Sequence, residues 1–159
     1  MAMRTWNEKL YFGAMPGRNE AVETWLAELA EHRIDRIVCL APQEEITRRS
    51  PAYHLWRAKQ HDYEITDIPV PDYGIPEGSA ADEFRQEAAR VARDLGQGRR
   101  VFIHCGAGVG RTGTFAVAVL MELGYSLNAA IREIEPLGSW PETRRQREFL
   151  KDKMAHHGL

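Results

Sequence analysis

The sequence has only two cysteines, Cys39 and Cys105, among its 159 residues. Two cysteines cannot build the disulfide framework of a small secreted domain. The longest clearly apolar run, Phe115 to Met121, is too short to cross a bilayer. Residues 1–10 also lack the apolar centre of a signal peptide. We therefore expect a soluble protein of the reducing cytoplasm, with no membrane partner.

A strong charge of either sign is also missing, and so are repeats and low-complexity segments. The 21 Lys and Arg residues nearly balance the 23 Asp and Glu residues, which gives a formal net charge of -2. Such a chain has no global attraction for nucleic acid, so we expect no nucleic-acid partner. The length suits a single domain over residues 1–159, which we expect to be monomeric.

Helices that alternate with strands predict an α/β fold. Short apolar runs predict strands over 9–13, 34–40, 63–68 and 100–104. Helical spacing of apolar residues, with capping residues, predicts helices over 20–32, 52–60, 80–95, 111–123, 127–135 and 141–153. The expected architecture has three layers, with a central, mainly parallel sheet of four to five strands flanked by helices.

A glycine-rich segment, HCGAGVGRTG at residues 104–113, lies between a predicted strand and a predicted buried helix. Its glycines allow consecutive N–H groups to turn inward, and the helix N-terminus adds positive charge. Such a loop can bind a phosphate dianion, and an arginine at its end can bind two phosphate oxygens. The predicted substrate-binding residues are Gly106, Ala107, Gly108, Val109, Gly110 and Arg111.

Cys105 opens this loop, where the same dipoles would stabilise a thiolate. A thiolate that faces a bound phosphomonoester can attack phosphorus in line and form a phosphocysteine. The Thr112 hydroxyl is near enough in sequence to bond the sulfur and help it leave in a second step. The alternative is a glycine-rich turn with a buried cysteine. The combination of Cys105, Arg111 and the flanking elements favours the catalytic interpretation.

These residues resemble the signature of the protein tyrosine phosphatase superfamily, in which His-Cys precedes five residues and then Arg-Ser/Thr. Residues 11–16 resemble the family's opening strand and turn, and residues 38–40 the end of its second strand. The resemblance is to the compact dual-specificity branch. It implies a cysteine-dependent phosphatase of phosphorylated proteins or small phosphomonoesters. We expect no metal or other cofactor, because the loop amides and Arg111 supply the positive field.

The leaving oxygen needs a proton, so a carboxyl group must reach the pocket from another loop. Residues 71–76, PDYGIP, follow a predicted strand that ends at the same rim of the sheet as Cys105. The family places its general acid in a similar loop, and Asp72 matches it. Asp67, near the strand end, is the alternative, and Asp72 as a simple turn residue is another.

Two further roles, those of Gln146 and His104, follow from the resemblance alone. A glutamine in the family's final helix orients the water that hydrolyses the phosphocysteine, and Gln146 matches it; an exposed helix glutamine is the alternative. His104 is expected to shape the loop by hydrogen bonding to the backbone. Tyr73, Ile75 and Trp140 are expected at the rim of the pocket.

The expected substrate is phosphotyrosine in proteins, with phosphoserine or phosphothreonine also possible. Some relatives that act on phosphoinositides carry lysines inside the loop, where this chain has Gly106 and Val109, and this argues against a polyanionic substrate. A phosphoinositide, an inositol phosphate or an RNA 5′-phosphate is the alternative, followed by a phospho-binding module without catalysis. The segment 137–141 is longer than in relatives, so their substrate preference does not transfer directly.

Two further features of the sequence are assigned structural roles. Cys39 lies in an apolar run and is expected in the core. The alternative is that it traps an oxidised Cys105 as a disulfide, since both lie near the same end of the sheet. His156 and His157 form a pair without accompanying ligands, so we expect no metal site there.

Overall fold

The computed structural model describes residues 3–154, and its centre is a five-stranded sheet in the order β1-β2-β5-β3-β4. The strands are β1 (Arg4–Trp6), β2 (Leu10–Gly13), β3 (Arg36–Cys39), β4 (Glu64–Asp67) and β5 (Val101–His104). Only β1 runs antiparallel to its neighbour; the other pairs are parallel. The predicted mainly parallel sheet is confirmed.

Seven α-helices flank the sheet in the part of the chain that the structure describes. They are α1 (Val22–Glu31), α2 (Gln43–Arg49), α3 (Pro51–Ala58), α4 (Ser79–Gly96), α5 (Gly110–Glu122), α6 (Leu127–Ile134) and α7 (Arg144–Lys153). A short 3₁₀ helix over Glu135–Leu137 follows α6.

Two hydrophobic clusters on opposite faces of the sheet produce the three layers. The first three helices cover one face, with Trp25, Ile46 and Tyr53 in its core. Helices α4 to α7 cover the other face, where their core includes Phe84 and Phe115. Because side chains alternate along a strand, each central strand contributes to both clusters.

Helix α5 is the buried centre of the second layer, as the apolar sequence after Thr114 predicts. Every residue from Gly110 to Met121 is buried. This helix starts directly behind the glycine-rich loop, so the core fixes the direction in which its N-terminus points. The carboxyl ends of four parallel strands meet at the same rim, where loops from different parts of the chain converge.

Two elements escape the sequence prediction, and helices α1 and α7 start two and three residues later than expected. Strand β1 has three residues, too few for a period-two pattern. Helix α2 buries only Glu45 and Ile46 of its seven residues, so it has no apolar stripe. Helix α7 begins at Arg144 because Thr143 caps it. None of the described helices has the length and apolar character needed to span a membrane.

Candidate active site

The loop between β5 and α5 turns its carbonyl groups into the surrounding protein. The Gly106 oxygen accepts a hydrogen bond from the Met15 N–H at 2.9 Å, and the Val109 oxygen accepts one from the Trp140 N–H at 3.3 Å. The N–H groups of residues 106–110 donate to no residue within 3–154. The loop therefore offers a row of free donors beside Cys105, which is the arrangement that binds an oxyanion.

Gly108 is the most tightly held residue of this loop. Its φ is +80°, and a Cβ atom there would lie 2.5 Å from the Gly13 carbonyl, so only glycine fits. Its own carbonyl oxygen accepts from Arg4 Nη2 at 2.7 Å and from Ser139 Oγ at 2.6 Å. Sequence analysis missed both donors, which lie far from the loop along the chain.

Cys105 lines a cavity of about 210 Å³. The Thr112 hydroxyl donates a hydrogen bond to the Cys105 sulfur across 3.0 Å. Thr112 is completely buried in the first turn of α5, so this donor has a fixed position. A donor so placed favours negative charge on the sulfur, both before attack on phosphorus and after the sulfur departs.

Arg111 lines the same cavity, and hydrogen bonds to Glu45 fix the position of its guanidinium. Its Nη1 and Nη2 atoms donate to the two Glu45 oxygens at 3.0 and 2.9 Å, and Nη1 also donates to the Val70 carbonyl at 3.0 Å. Burial opposes charge on both groups, yet their pairing lowers the pKa of Glu45 and raises that of Arg111. Both groups are therefore charged at neutral pH.

The remaining edge of the Arg111 guanidinium faces the cavity. Its Nη2 donates to Asp72 Oδ1 at 3.2 Å, while Nε has no partner among the described residues. Asp72 also lies 3.6 Å from Arg49 Nη2 and lines the cavity. Asp67 is instead paired with Arg57 at 2.7 Å and does not line this cavity. The structure thus brings Asp72, and not Asp67, to Cys105.

The cavity rim differs in part from the sequence expectation. Tyr73 lines it with an exposed side chain, but Ile75 packs against the core and Trp140 does not line it. The Trp140 backbone instead packs against Gly113, where a Cβ atom would overlap it. Side chains that sequence analysis missed also line the cavity: Arg18, Arg49 and Glu142.

Gln146 is completely buried and does not face Cys105. Its Oε1 accepts from the Thr143 N–H at 3.1 Å, which completes the capping box of α7. Its Nε2 donates to the Gly74 carbonyl at 3.1 Å. The alternative of an exposed helix glutamine is wrong, because the side chain is buried. Its amide instead holds the loop that carries Asp72.

His104 hydrogen-bonds to the loop backbone, as expected. Its Nδ1 lies 3.2 Å from the Cys105 carbonyl, which can only accept, so Nδ1 carries the proton. Nε2 then accepts from the Tyr53 hydroxyl at 2.7 Å. Burial lowers the pKa of His104 to about 4. The imidazole is therefore neutral at physiological pH and has both nitrogens occupied.

The two cysteines lie on opposite faces of the sheet. Cys39 pairs in register with His104 and belongs to the cluster around Trp25, whereas Cys105 belongs to the other cluster. Burial raises the pKa of Cys39 to about 12. The core role is the one that this geometry favours, because a disulfide would require a sulfur to cross the sheet.

No group of three or more His, Cys, Asp or Glu side chains within 3–154 could hold a metal ion. His156 and His157, named above as a pair without ligands, lie outside the described residues.

Comparisons with solved structures place this geometry among the cysteine-dependent phosphatases. The crystal structure of Tk-PTP in its active form has 28% sequence identity and a TM-score of 0.73, covering 95% of each chain. A kinase-associated phosphatase whose catalytic-site cysteine is replaced by serine has 23% identity and a TM-score of 0.76, over 98% of this chain and 96% of that one. A human tyrosine phosphatase-like serine/threonine/tyrosine-interacting protein has 20% identity and a TM-score of 0.77, covering 99% of both.

The chain is a cysteine-dependent phosphatase of the protein tyrosine/dual-specificity class. Within that class it belongs to the PTP-SAK family, described as the Swiss Army Knife protein, DSP-PTPase phosphatase domain, whose sequence profile matches residues 6–156. Comparison with curated proteins found no significant sequence match.

Proposed function

We propose that this phosphatase forms a phosphocysteine at Cys105 and acts on phosphotyrosine in proteins. One observation carries the proposal: the unpartnered N–H groups of residues 106–110 directly follow a cysteine whose sulfur already accepts a hydrogen bond from Thr112. Free donors and an arginine beside a nucleophile suit the binding of a tetrahedral dianion.

In the first step, the Cys105 thiolate attacks phosphorus, so that an S–P bond forms while the P–O bond to the leaving group breaks. The phosphate oxygens bind to Nε and Nη2 of Arg111. Without substrate, Nη2 donates to Asp72 instead. Displaced from Nη2, protonated Asp72 gives its proton to the leaving oxygen.

In the second step, water attacks the phosphocysteine and gives a proton to Asp72. The P–S bond breaks, its electron pair returns to the sulfur, and inorganic phosphate leaves. The Thr112 hydroxyl stabilises the thiolate that reforms. Gln146 acts as a positioning residue through Gly74; to orient the water itself, its Nε2 would have to release that carbonyl.

An aromatic side chain at the rim of the cavity favours an aryl phosphate as the substrate. Tyr73 is 65% exposed beside the cavity, where its ring can pack against that of a phosphotyrosine. A catalytic thiol keeps its activity in reducing surroundings, so we place the enzyme in the cytoplasm.

The mechanism is tested with para-nitrophenyl phosphate and phenyl phosphate. Cys105→Ser should abolish turnover. Arg111→Lys should reduce turnover strongly, because an ammonium group cannot make the two parallel hydrogen bonds of a planar guanidinium. Asp72→Asn should lower turnover of phenyl phosphate by roughly 10²- to 10⁴-fold and affect the better leaving group less. Asp67→Asn is the matched control. Full activity of Cys105→Ser, or an acid defect in Asp67→Asn instead, would overturn these assignments.

The protein substrate is tested separately with paired peptides of one sequence. We expect faster turnover of the phosphotyrosine peptide than of its phosphoserine counterpart. A clear preference for inositol phosphates or for RNA 5′-phosphates in the same assay would contradict this.

A further inference from the structure

We propose that a second cavity, beside the loop between β5 and α5, is a subsite for an apolar side chain of the substrate protein close to its phosphotyrosine. The inference rests on the proposed function and deepens it, because it names a feature of the peptide that the enzyme selects. The ligand is a large aliphatic or aromatic residue within a few positions of the phosphotyrosine.

This second cavity, the apolar cavity, has a volume of about 330 Å³ and is lined by the turn after β2 and by the loop. Most of its lining residues are apolar, among them Met3, Met15, Trp25 and Phe102. The last three belong to the core cluster on the face of the sheet that α1 to α3 cover. A concave apolar wall of this kind stabilises a bound apolar side chain, because that side chain leaves water.

The apolar cavity adjoins the catalytic cavity around Cys105. Ala107 and Val109 line both cavities, and Ala107 is exposed while Val109 is half-buried. Burial lowers the pKa of Arg4, on the wall of the apolar cavity, and the charge of a Cys105 thiolate opposes that shift, so these two groups are close. A substrate whose phosphate lies at Cys105 can therefore reach the apolar cavity with a neighbouring group.

The wall of the apolar cavity favours a peptide over a lipid chain. Trp25 and Arg4 each have a buried N–H group, at Nε1 and at Nε, without an acceptor among residues 3–154. Buried donors without an acceptor cost free energy. A peptide brings carbonyl oxygens next to its apolar side chains, whereas a hydrocarbon chain brings no acceptor. The exposed Asn19 adds a side-chain amide that can bond to a peptide backbone.

The catalytic cavity offers no comparable place for an aliphatic side chain. Its walls carry the charged side chains of Arg18, Arg49, Asp72 and Glu142. In the proposed function, Tyr73 packs against the ring of the phosphotyrosine itself. Selection among phosphotyrosine sequences therefore depends on the apolar cavity.

The first test is a leucine scan of a phosphotyrosine peptide whose neighbouring residues are all alanine. A single leucine replaces alanine at each position from three before to three after the phosphotyrosine. We expect kcat/KM to rise about tenfold at one position or at two neighbouring ones. Equal turnover at all positions would overturn the subsite and leave the proposed function standing, whereas no turnover of any phosphotyrosine peptide would overturn both.

Ethyl phosphate and octyl phosphate test the other occupant. We expect little difference between their turnover rates. A large gain for octyl phosphate without a leucine effect in the peptides would assign the cavity to an acyl chain and overturn the peptide assignment.

The second test fills the apolar cavity. Ala14 is half-buried and lines it, so Ala14→Leu should reduce the leucine preference to within about twofold. Turnover of para-nitrophenyl phosphate, which does not reach this cavity, should be unchanged. Ala27→Leu is the matched control, because Ala27 is an exposed alanine of α1 that lines neither cavity.

A second variant covers the case in which Ala14→Leu impairs folding or turnover of para-nitrophenyl phosphate. Met3→Ala removes part of the apolar wall and should also weaken the leucine preference. Full preference retained in Met3→Ala, or in an active Ala14→Leu enzyme, would overturn the subsite. An equal loss of preference in Ala27→Leu would do the same.

Discussion

The Glu45 carboxylate and the Arg111 guanidinium meet through two hydrogen bonds, although 66 residues separate them in the chain. Their side chains are only 6% and 3% exposed. The carboxylate takes the Nη1–Nη2 edge of the guanidinium and leaves the adjacent Nε–Nη2 edge for a phosphate. Glu45 therefore fixes the plane in which Arg111 can bind a phosphate.

Replacement of Glu45 by alanine should leave a buried, poorly paired charge on Arg111. We expect kcat/KM for para-nitrophenyl phosphate to fall about 10- to 100-fold, and the free energy of unfolding to fall by about 3 kcal/mol. Steady-state kinetics and urea unfolding measure the two effects. Glu44→Ala, an exposed neighbour on the same helix, is the control. Unchanged inhibition by inorganic phosphate would contradict the orienting role.

Replacement of Thr112 by valine removes the hydroxyl that donates to the Cys105 sulfur and retains the side-chain volume. The departing thiolate should lose about 1.5–3 kcal/mol of stabilisation, so hydrolysis of the phosphocysteine slows by about 10- to 100-fold. Rapid-quench experiments should then detect a burst of phenol and an accumulated phosphoenzyme. Thr112→Ser retains the donor and should restore turnover; a defect of equal size in both variants would argue for a packing effect.

Replacement of Gln146 by methionine tests whether this residue acts on the acid loop or on water. Loss of the hydrogen bond to Gly74 should misplace Asp72, so turnover of phenyl phosphate falls by about tenfold with a smaller effect on para-nitrophenyl phosphate. Thr143→Ala removes the helix cap alone and is the control. Accumulation of phosphoenzyme in the Gln146 variant would support water orientation instead.

The buried neutral imidazole of His104 predicts a pH dependence of stability. Its pKa is about 4 in the folded protein, against an ordinary value of 6.5. Between these values the unfolded chain binds a proton that the folded protein does not, so stability falls as the pH falls from 6.5 to 4. The full loss is about 3 kcal/mol. Above pH 6.5 this group contributes no slope.

Urea unfolding at several pH values between about 4 and 8 measures this dependence. His104→Gln removes the titrating group and should flatten the profile in that window. Carboxylates with lowered pKa values, such as Glu45, add a slope at lower pH in both proteins, so the difference between the two profiles isolates His104. Identical profiles would exclude the histidine as the cause.

The layered fold was predictable because its central elements carry local signals. The apolar run from Ile37 to Leu40 indicates a strand buried on both faces, and the apolar sequence after Thr114 indicates a buried helix; both are confirmed. Strand β1 and helix α2 depend on contacts with other elements rather than on their own periodicity. No local pattern could have predicted them.

The residues of the candidate site also differ in how far the sequence could predict them. Cys105, Arg111 and Thr112 lie within one short segment whose composition already indicates anion binding. Glu45 reaches Arg111 and Arg18 reaches the cavity from other elements, and an acidic or basic residue in a polar segment carries no local sign of such a role. Their positions follow only from the packing of strands and helices around α5.

The two hydrogen bonds to the Gly108 carbonyl determine when, during synthesis of the chain, the active site can form. Arg4 reaches it across 104 residues of chain, and Ser139 across another 31. During synthesis, the loop can adopt its final shape only after the segment beyond α6 has left the ribosome and docked beside the first strand. Turnover is therefore a stricter measure of completed folding than helix content, because a nascent chain rich in helix would still be catalytically silent.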